Sequence, residues 1–246
     1  MDRMLYVAMS GAQETLRAQT ANNHNLANAN TTGFRAEMAA FQARAVTGAG
    51  YNSRTYATNS TVGFNDSVGA INQTGRDLDV AVQGSGYIAV QGRDGSEAYT
   101  RAGDLRVDPD GQLKTGTGLT VMGEGGPISV PPHASVLVGV DGTISIVPLG
   151  QGPETRADVG RIKLVNPASQ DMARSTDGLF RLKDGSDAPA DANTRLTSGM
   201  LEGSNVNVAD AMVNMIELAR RFDLQVKAMR TAEDDGAASA KLLSTR

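Results

Sequence analysis

Two stripes of residues, one near each end of the chain, recur at alternating spacings of four and three, and together they dictate most of what this sequence can become. Near the start, Leu5, Met9, Ala12, Leu16, Gln19, Asn23 and Leu26 follow this heptad period. The period places them along one seam of a helix from residue 3 to about 29, facing another helix. Near the end, Val208, Met212, Met215, Ala219, Phe222, Val226 and Met229 keep the same spacing. After an interruption at Glu233 and Gly236 the phase resumes at Ala240 and Leu243. A helix over 208–244 would be about 55 Å long at the α-helical rise, well beyond an ordinary domain helix.

Local signals agree with both helices. Asn207 suits an N-cap, with Asp210 three residues on in a variant of the capping box. Thr31-Thr32-Gly33 ends the first pattern, and Gly33 suits a left-handed stop. Glu217 with Arg221, and Asp223 with Lys227, are acid-then-base pairs four apart that fit the solvated face. The first seam is thin and carries amides at Gln19 and Asn23. Polar groups at such positions weaken association while fixing its register. Gln19, Asn23 and the adjacent His24 are the expected register-setting contacts.

Between the ends the period changes. Residues 34–75 lose clear periodicity and are rich in small and polar residues, as in Thr47-Gly48-Ala49-Gly50 and Thr58-Asn59-Ser60-Thr61, which reads as an extended connector. From 76 to 200 the period is two. Leu78, Val80 and Val82 alternate with Asp77, Asp79 and Ala81, the pattern of a half-buried strand. Tyr87 to Gln91 and Glu97 to Arg101 flank Arg93-Asp94-Gly95 as a hairpin. Val136 to Val140 and Thr143 to Val147 flank a two-residue Asp141-Gly142 turn. Further strands are expected at Arg161–Val165 and Leu179–Lys183. Many of the 28 glycines fall in this middle region, consistent with short strands and frequent turns. The fold class is therefore α+β: terminal helices at 1–33 and 201–246 pairing as a coiled-coil-like stalk, a connector at 34–75 and an antiparallel β-domain at 76–200.

Little in the sequence calls for chemistry. With no cysteine there can be no disulfide, thiol nucleophile or zinc–thiolate site. The two histidines, His24 and His133, have no carboxylate or second histidine at ligand spacing. Asp108-Pro109-Asp110-Gly111 resembles the start of a calcium loop, but Leu119 stands where the closing acid is needed, so a β-turn is expected. Gly84-Ser85-Gly86 and Gly123-Glu124-Gly125-Gly126 open no helix and read as strand-end glycines rather than phosphate cradles. Asp77 and Asp79 share a strand face and could imitate a glycosidase carboxylate pair. Aromatics make up only 4% of the chain, too few to furnish a sugar-stacking cleft. The expectation is no enzyme, no cofactor and no metal. A net charge of −4 with interspersed signs gives no footprint for nucleic acid. No apolar run suits a bilayer span or a cleavable secretory signal, so no membrane insertion is expected, and any export would use another route.

Several separated motifs carry a resemblance. Leu5-Tyr6-Val7-Ala8-Met9-Ser10-Gly11-Ala12, then Asn25-Leu26-Ala27-Asn28-Ala29-Asn30-Thr31-Thr32-Gly33-Phe34-Arg35, closely resembles the N-terminal signature of the flagellar rod and hook protein family. Leu201-Glu202-Gly203-Ser204-Asn205-Val206, leading into Met212-Val213-Asn214-Met215-Ile216, resembles its second signature. Gly75-Arg76-Asp77-Leu78-Asp79-Val80-Ala81-Val82-Gln83-Gly84 and Tyr99-Thr100-Arg101-Ala102-Gly103 look like segments shared by rod and hook members. His24 departs from the family pattern, which usually has asparagine there. The opening Met1-Asp2-Arg3-Met4-Leu5-Tyr6 and the modest length look most like the proximal-rod subunit, with a distal-rod or hook-type axial subunit as the alternative. The resemblance implies a structural subunit of the basal-body rod that crosses the periplasm and transmits torque. It would pass through the flagellar export apparatus without a cleaved signal and assemble helically with itself and with proximal and distal rod proteins. Thin seams that cannot order themselves alone fit such a part. A glycan-binding or cell-wall-hydrolysing β-domain on a dimerising stalk is the competing reading.

Overall fold

A computed structural model describes residues 4–45, 55–152 and 154–244. The connector stretch Thr47-Gly48-Ala49-Gly50 and the opening Met1-Asp2-Arg3 lie outside them. Helix α1 spans Met4–Ala27 and helix α2 spans Val208–Ser244. The strands from Ile71 to Glu202 pair antiparallel. The chain is α+β and falls into two compact units. One unit holds α1, α2 and residues 37–63. The other holds residues 30–36 and 64–205.

The helix ends follow local chemistry. The Asn207 Oδ1 accepts from the backbone N–H of Ala209 at 3.0 Å and of Asp210 at 3.4 Å, while its carbonyl accepts from Ala211 at 2.9 Å. This is the N-cap the sequence announces. The interruption at Glu233 and Gly236 is one of side-chain phase alone, since α2 runs through both residues. The first helix stops earlier than expected, at Ala27, where the Asn28 N–H closes onto the His24 and Asn25 carbonyls. Gly33 is left-handed (φ 67°) but lies beyond the helix stop, and a Cβ there would lie 2.2 Å from the Arg101 carbonyl carbon. The segment read as a connector contributes two paired strands, Glu37–Ala45 and Thr55–Phe64.

The β-rich unit is built around one large sheet. Its order is Met172–Arg174, Phe180–Leu182, Glu97–Thr100, Tyr87–Gln91, Thr120–Gly123, Leu113–Thr115, Leu105–Val107, with Gly126–Pro127 and Leu164–Val165 pairing off this path. A second sheet joins His133–Val138, Thr143–Pro148 and Ala157–Arg161. Two strand pairs complete the unit: Val80–Gln83 with Arg195–Ser198, and Ile71–Gln73 with Met200–Glu202. The central strand Tyr87–Gln91 is buried on both faces. Ile88 and Val90 join a cluster with Leu105, Leu113, Ile144 and Leu196, while Tyr87 and Ala89 join Tyr99, Val165, Met172 and Phe180.

Two readings need correction. The strand containing Val80 and Val82 is not half-solvated, because Asp79 and Ala81 on its other face are also buried. Asp77 is exposed and Asp79 is 3% exposed opposite Asp104, so they do not face a common cleft. The hairpin at Asp141-Gly142 has a three-residue loop rather than two. The Gly139 N–H donates to Thr143 O at 2.8 Å and the Gly142 N–H to Gly139 O at 3.0 Å, leaving left-handed Gly142 as the third loop residue. The same bonding shapes Arg93-Asp94-Gly95, Pro109-Asp110-Gly111 and Thr176-Asp177-Gly178. Residues 108–111 thus form a turn, with the Asp108 carboxylate turned onto its own backbone N–H groups at Asp110 and Gln112, both at 3.0 Å.

Candidate assembly surface and the lock beside the signature segments

Helices α1 and α2 pair antiparallel. Gly11 and Thr15 meet Gln225, and Asn22 meets Ala211. The residues buried on this helix pair are mostly small: Gly11, Ala12, Thr15 and Ala18 beside Glu14 on α1, and Ala211 and Ala232 beside Leu218 on α2. A Cβ on Gly11 would sit 2.8 Å from the Gln225 Nε2, so glycine there lets the glutamine reach the seam. The Thr15 hydroxyl lies 2.8 Å from the Gly11 carbonyl and 3.3 Å from the Gln225 Oε1. The Asn22 Nδ2 donates to the Ala211 carbonyl at 2.8 Å.

This contact still has heptad spacing, but on α1 it is rotated from the expected stripe by about one position. It follows 11, 15, 18, 22 and 25 rather than 12, 16, 19, 23 and 26. One residue of an α-helix turns the surface by about 100°, so a one-place shift moves the expected stripe from the contact to its flank. Leu5, Met9 and Leu16 are accordingly 36%, 41% and 47% exposed, and Asn23 is exposed. Ala12 is buried, and Gln19 and Leu26 are half-buried. On α2, Met215, Phe222, Val226 and Met229 are half-buried, while Val208, Met212 and Ala219 are exposed. Val213, Ile216 and Leu224 are further exposed apolar residues that the stripe did not include. On α1 the large side chains are thus turned outward and small ones inward, whereas α2 buries Leu218 and leaves Met212, Val213, Ile216 and Leu224 exposed.

The amides that cross the pair are also displaced. Asn22 makes the contact to α2 and Asn25 binds the Glu37 backbone, whereas Asn23 and His24 are exposed. Asn25 grips the Glu37 backbone both ways, donating from Nδ2 to Glu37 O at 2.9 Å and accepting from the Glu37 N–H at 2.8 Å. The His24 Nδ1 lies 3.7 Å from the Glu37 carboxylate.

In the β-rich unit, an ionic cluster that the sequence reading missed brings the motif residues together. Glu202 lies between two arginines: its Oε1 is 2.8 Å from the Arg35 Nη1, and its Oε2 is 3.1 Å from the Arg101 Nη1. All three side chains are at most 1% exposed. Burial draws the Arg101 guanidinium below its ordinary value, and the Glu202 charge opposes that shift. Arg101 also donates to Val82 O at 3.2 Å and to Gly84 O at 2.5 Å. Arg174 stacks its guanidinium 4.3 Å from the Phe34 ring centroid and donates to Arg35 O at 3.1 Å. Asn205 ties the same place together, accepting from the Ala36 N–H at 2.7 Å and donating to Asn65 O and Ser67 O, each at 2.9 Å. The only sequence signal for Arg35, Arg101 and Glu202 is that each lies inside one of the quoted motifs.

Among the described residues, no group of three or more His, Asp and Glu side chains is placed to hold a metal ion, and no helix is long and apolar enough to cross a membrane.

Comparison with known proteins matches three stretches in chain order. Residues 5–35 match the family described as "Flagella basal body rod protein". Residues 81–146 match the "Flagellar hook protein FlgE/F/G D1 domain", and 197–242 match "Flagellar basal body rod FlgEFG protein C-terminal". The chain is 44% identical to flagellar basal-body rod protein FlgF of Salmonella typhimurium and 45% identical to FlgF of Escherichia coli, each over 99% of both chains. It is 33% identical to flagellar basal-body rod protein FlgG of Bacillus subtilis, over 95% of this chain and 96% of that one.

Proposed function

The chain belongs to the flagellar basal-body rod protein family, as a structural rod subunit of the proximal type, and from that premise we propose that the outward face of its helix pair is the surface through which it assembles. One observation carries this reading: the pair buries mostly small residues and leaves many large apolar ones exposed. An isolated helix pair maximising its own stability would do the reverse, because a buried Leu or Met side chain gains roughly 1.5–3 kcal/mol. Leu5, Met9 and Leu16 on α1, with Val208, Met212 and Ile216 on α2, therefore await neighbours. Gln19 and Asn23 lie on or beside this face and would set register there.

The neighbours in this reading are copies of the same chain and sister proximal- and distal-rod proteins. Assembled, the chain serves as part of the shaft that transmits torque across the periplasm. It reaches that place through the flagellar export apparatus without a cleaved signal, acts on no substrate, and needs neither nucleic acid nor membrane.

The test is incorporation into basal bodies. Leu16→Arg and Met212→Arg, singly and together, are expected to abolish incorporation and swarming. Both are surface changes within this chain and should alter its own stability by no more than about 0.5 kcal/mol. Normal rods built from the double variant would overturn the assignment of this face.

A further inference from the structure

The Glu202 cluster borders the apolar clusters through Arg101, whose guanidinium lies 5.3 Å from the Tyr87 ring centroid and donates to Val82 O. The Glu202 carboxylate bonds both arginines and the Gly69 N–H. It joins three stretches distant in sequence: 30–36, 65–70 and 199–205. The Gly33 N–H donates to Glu202 O at 2.8 Å, the Gly69 N–H to the Glu202 Oε1 at 3.0 Å, and the Gly203 N–H to Ala70 O at 2.8 Å. The stretches cross backbone to backbone, since a Cβ on Gly69 would lie 2.1 Å from Gly203 O. Arg35 Nη1 also donates to Ser67 O. Two guanidinium groups bond one carboxylate, and the Asp66 charge also acts on Arg101. The Nε and Nη2 of Arg35 and the Nε of Arg101 have no hydrogen-bond partner. Glu202 therefore holds two buried cations at once.

We propose that Glu202 is a positioning residue that clamps segments 30–36 and 199–205 into a locally separable lock, and that rod assembly requires this lock closed. The second half of the proposal rests on the assembly reading above. Removing one partner of a buried ion pair leaves an uncompensated charge, which is far more disruptive than deleting the pair. Here the loss of one carboxylate removes the charge that is bonded to both guanidinium groups. Because Ile88, Val90, Leu105 and Ile144 are held by apolar packing with one another, the opening stays local and the sheet holds, as expected where stability is distributed in cooperative units.

Hydrogen exchange on the purified full-length chain tests this. Glu202→Gln, the same shape without the charge, is expected to speed exchange at Gly33, Gly69 and Gly203 about 100-fold or more, with Ile88, Val90 and Ile144 protected as before. Adding Arg35→Met to Glu202→Gln removes one stranded cation and is expected to slow exchange again. A lock maintained by packing alone would instead open further, and that result would overturn the charge account. Uniform acceleration across the sheet, or none anywhere, would overturn the local lock. If Glu202→Gln does not accumulate as folded protein, Glu202→Asp carries the same readout: an intermediate acceleration confined to the three segments is expected, and wild-type protection refutes the proposal. In cells, the Glu202→Gln chain is expected to fail to incorporate, and normal incorporation would break the link to assembly. Leu16→Arg separates the two readings. It should block incorporation while leaving exchange at Gly33 and Gly203 unchanged.

Discussion

At the scale of single residues, Asp79 and Asp104 form the least comfortable contact in the β-rich unit. They face one another across an antiparallel bridge, where like charges repel, and each has a buried Oδ1 without a hydrogen-bond partner. Arg76 reaches Asp79 only at 3.6 Å from an exposed position. Burial first, and then the Asp79 charge, raises the Asp104 carboxyl above its ordinary value, with backbone N–H groups and Arg106 acting against the rise. A carboxyl raised in the folded state binds its proton more tightly there than in the unfolded chain. Its contribution to stability is full below the unfolded value and is lost as pH rises through the folded one. Asp104→Asn mimics the protonated form. It is expected to raise the thermal midpoint at neutral pH, with the gain shrinking to nothing as pH falls below the ordinary carboxylate range. Thermal melts of both proteins across pH 3–8 check this, and a gain that grows on acidification would refute it.

At the scale of elements, the helix pair is weak for its size. Its 24- and 37-residue helices bury Leu218 and otherwise mainly glycine, alanine and threonine against each other. Fixing each residue costs roughly 1–2 kcal/mol of conformational entropy, and small side chains return little apolar area to offset it. Dilute purified chain is therefore expected to show far less helix by circular dichroism than the two helices contain. The helical signal should rise with concentration or on addition of rod partners. A full helical signal at micromolar concentration, independent of dilution, would show that the pair needs no neighbours.

At the scale of the whole molecule, the two compact units imply different dependence on company. The β-rich unit has its own apolar clusters and its own ionic lock. Deleting residues 1–29 and 206–246 should leave a chain that melts cooperatively with a β-type spectrum, its midpoint within about 5 °C of the full-length protein. The same chain should not enter rods. Loss of the cooperative transition would show that the helices are needed for the sheet to fold.

The sequence alone determined what depends on neighbours along the chain: two long helices from heptad spacing, the Asn207 cap, the hairpins from period-two runs broken by Asp-Gly, and the family from its ordered motifs. Those signals are local, and local geometry obeys them. It could not determine which side of α1 meets α2. Two adjacent heptad rows, 11-15-18-22 and 12-16-19-23, have the same period, and the choice between them depends on how closely two backbones can approach. Glycine, alanine and threonine on the first row permit that approach, so the larger residues of the expected stripe turn outward. Nor could it show that Arg35, Arg101 and Glu202 meet, because they lie 66 and 101 positions apart and only the crossing of three distant segments brings both guanidinium groups within 3.1 Å of the Glu202 carboxylate. Tertiary structure decided both, since burial and charge pairing depend on distances in space that no spacing along the chain encodes.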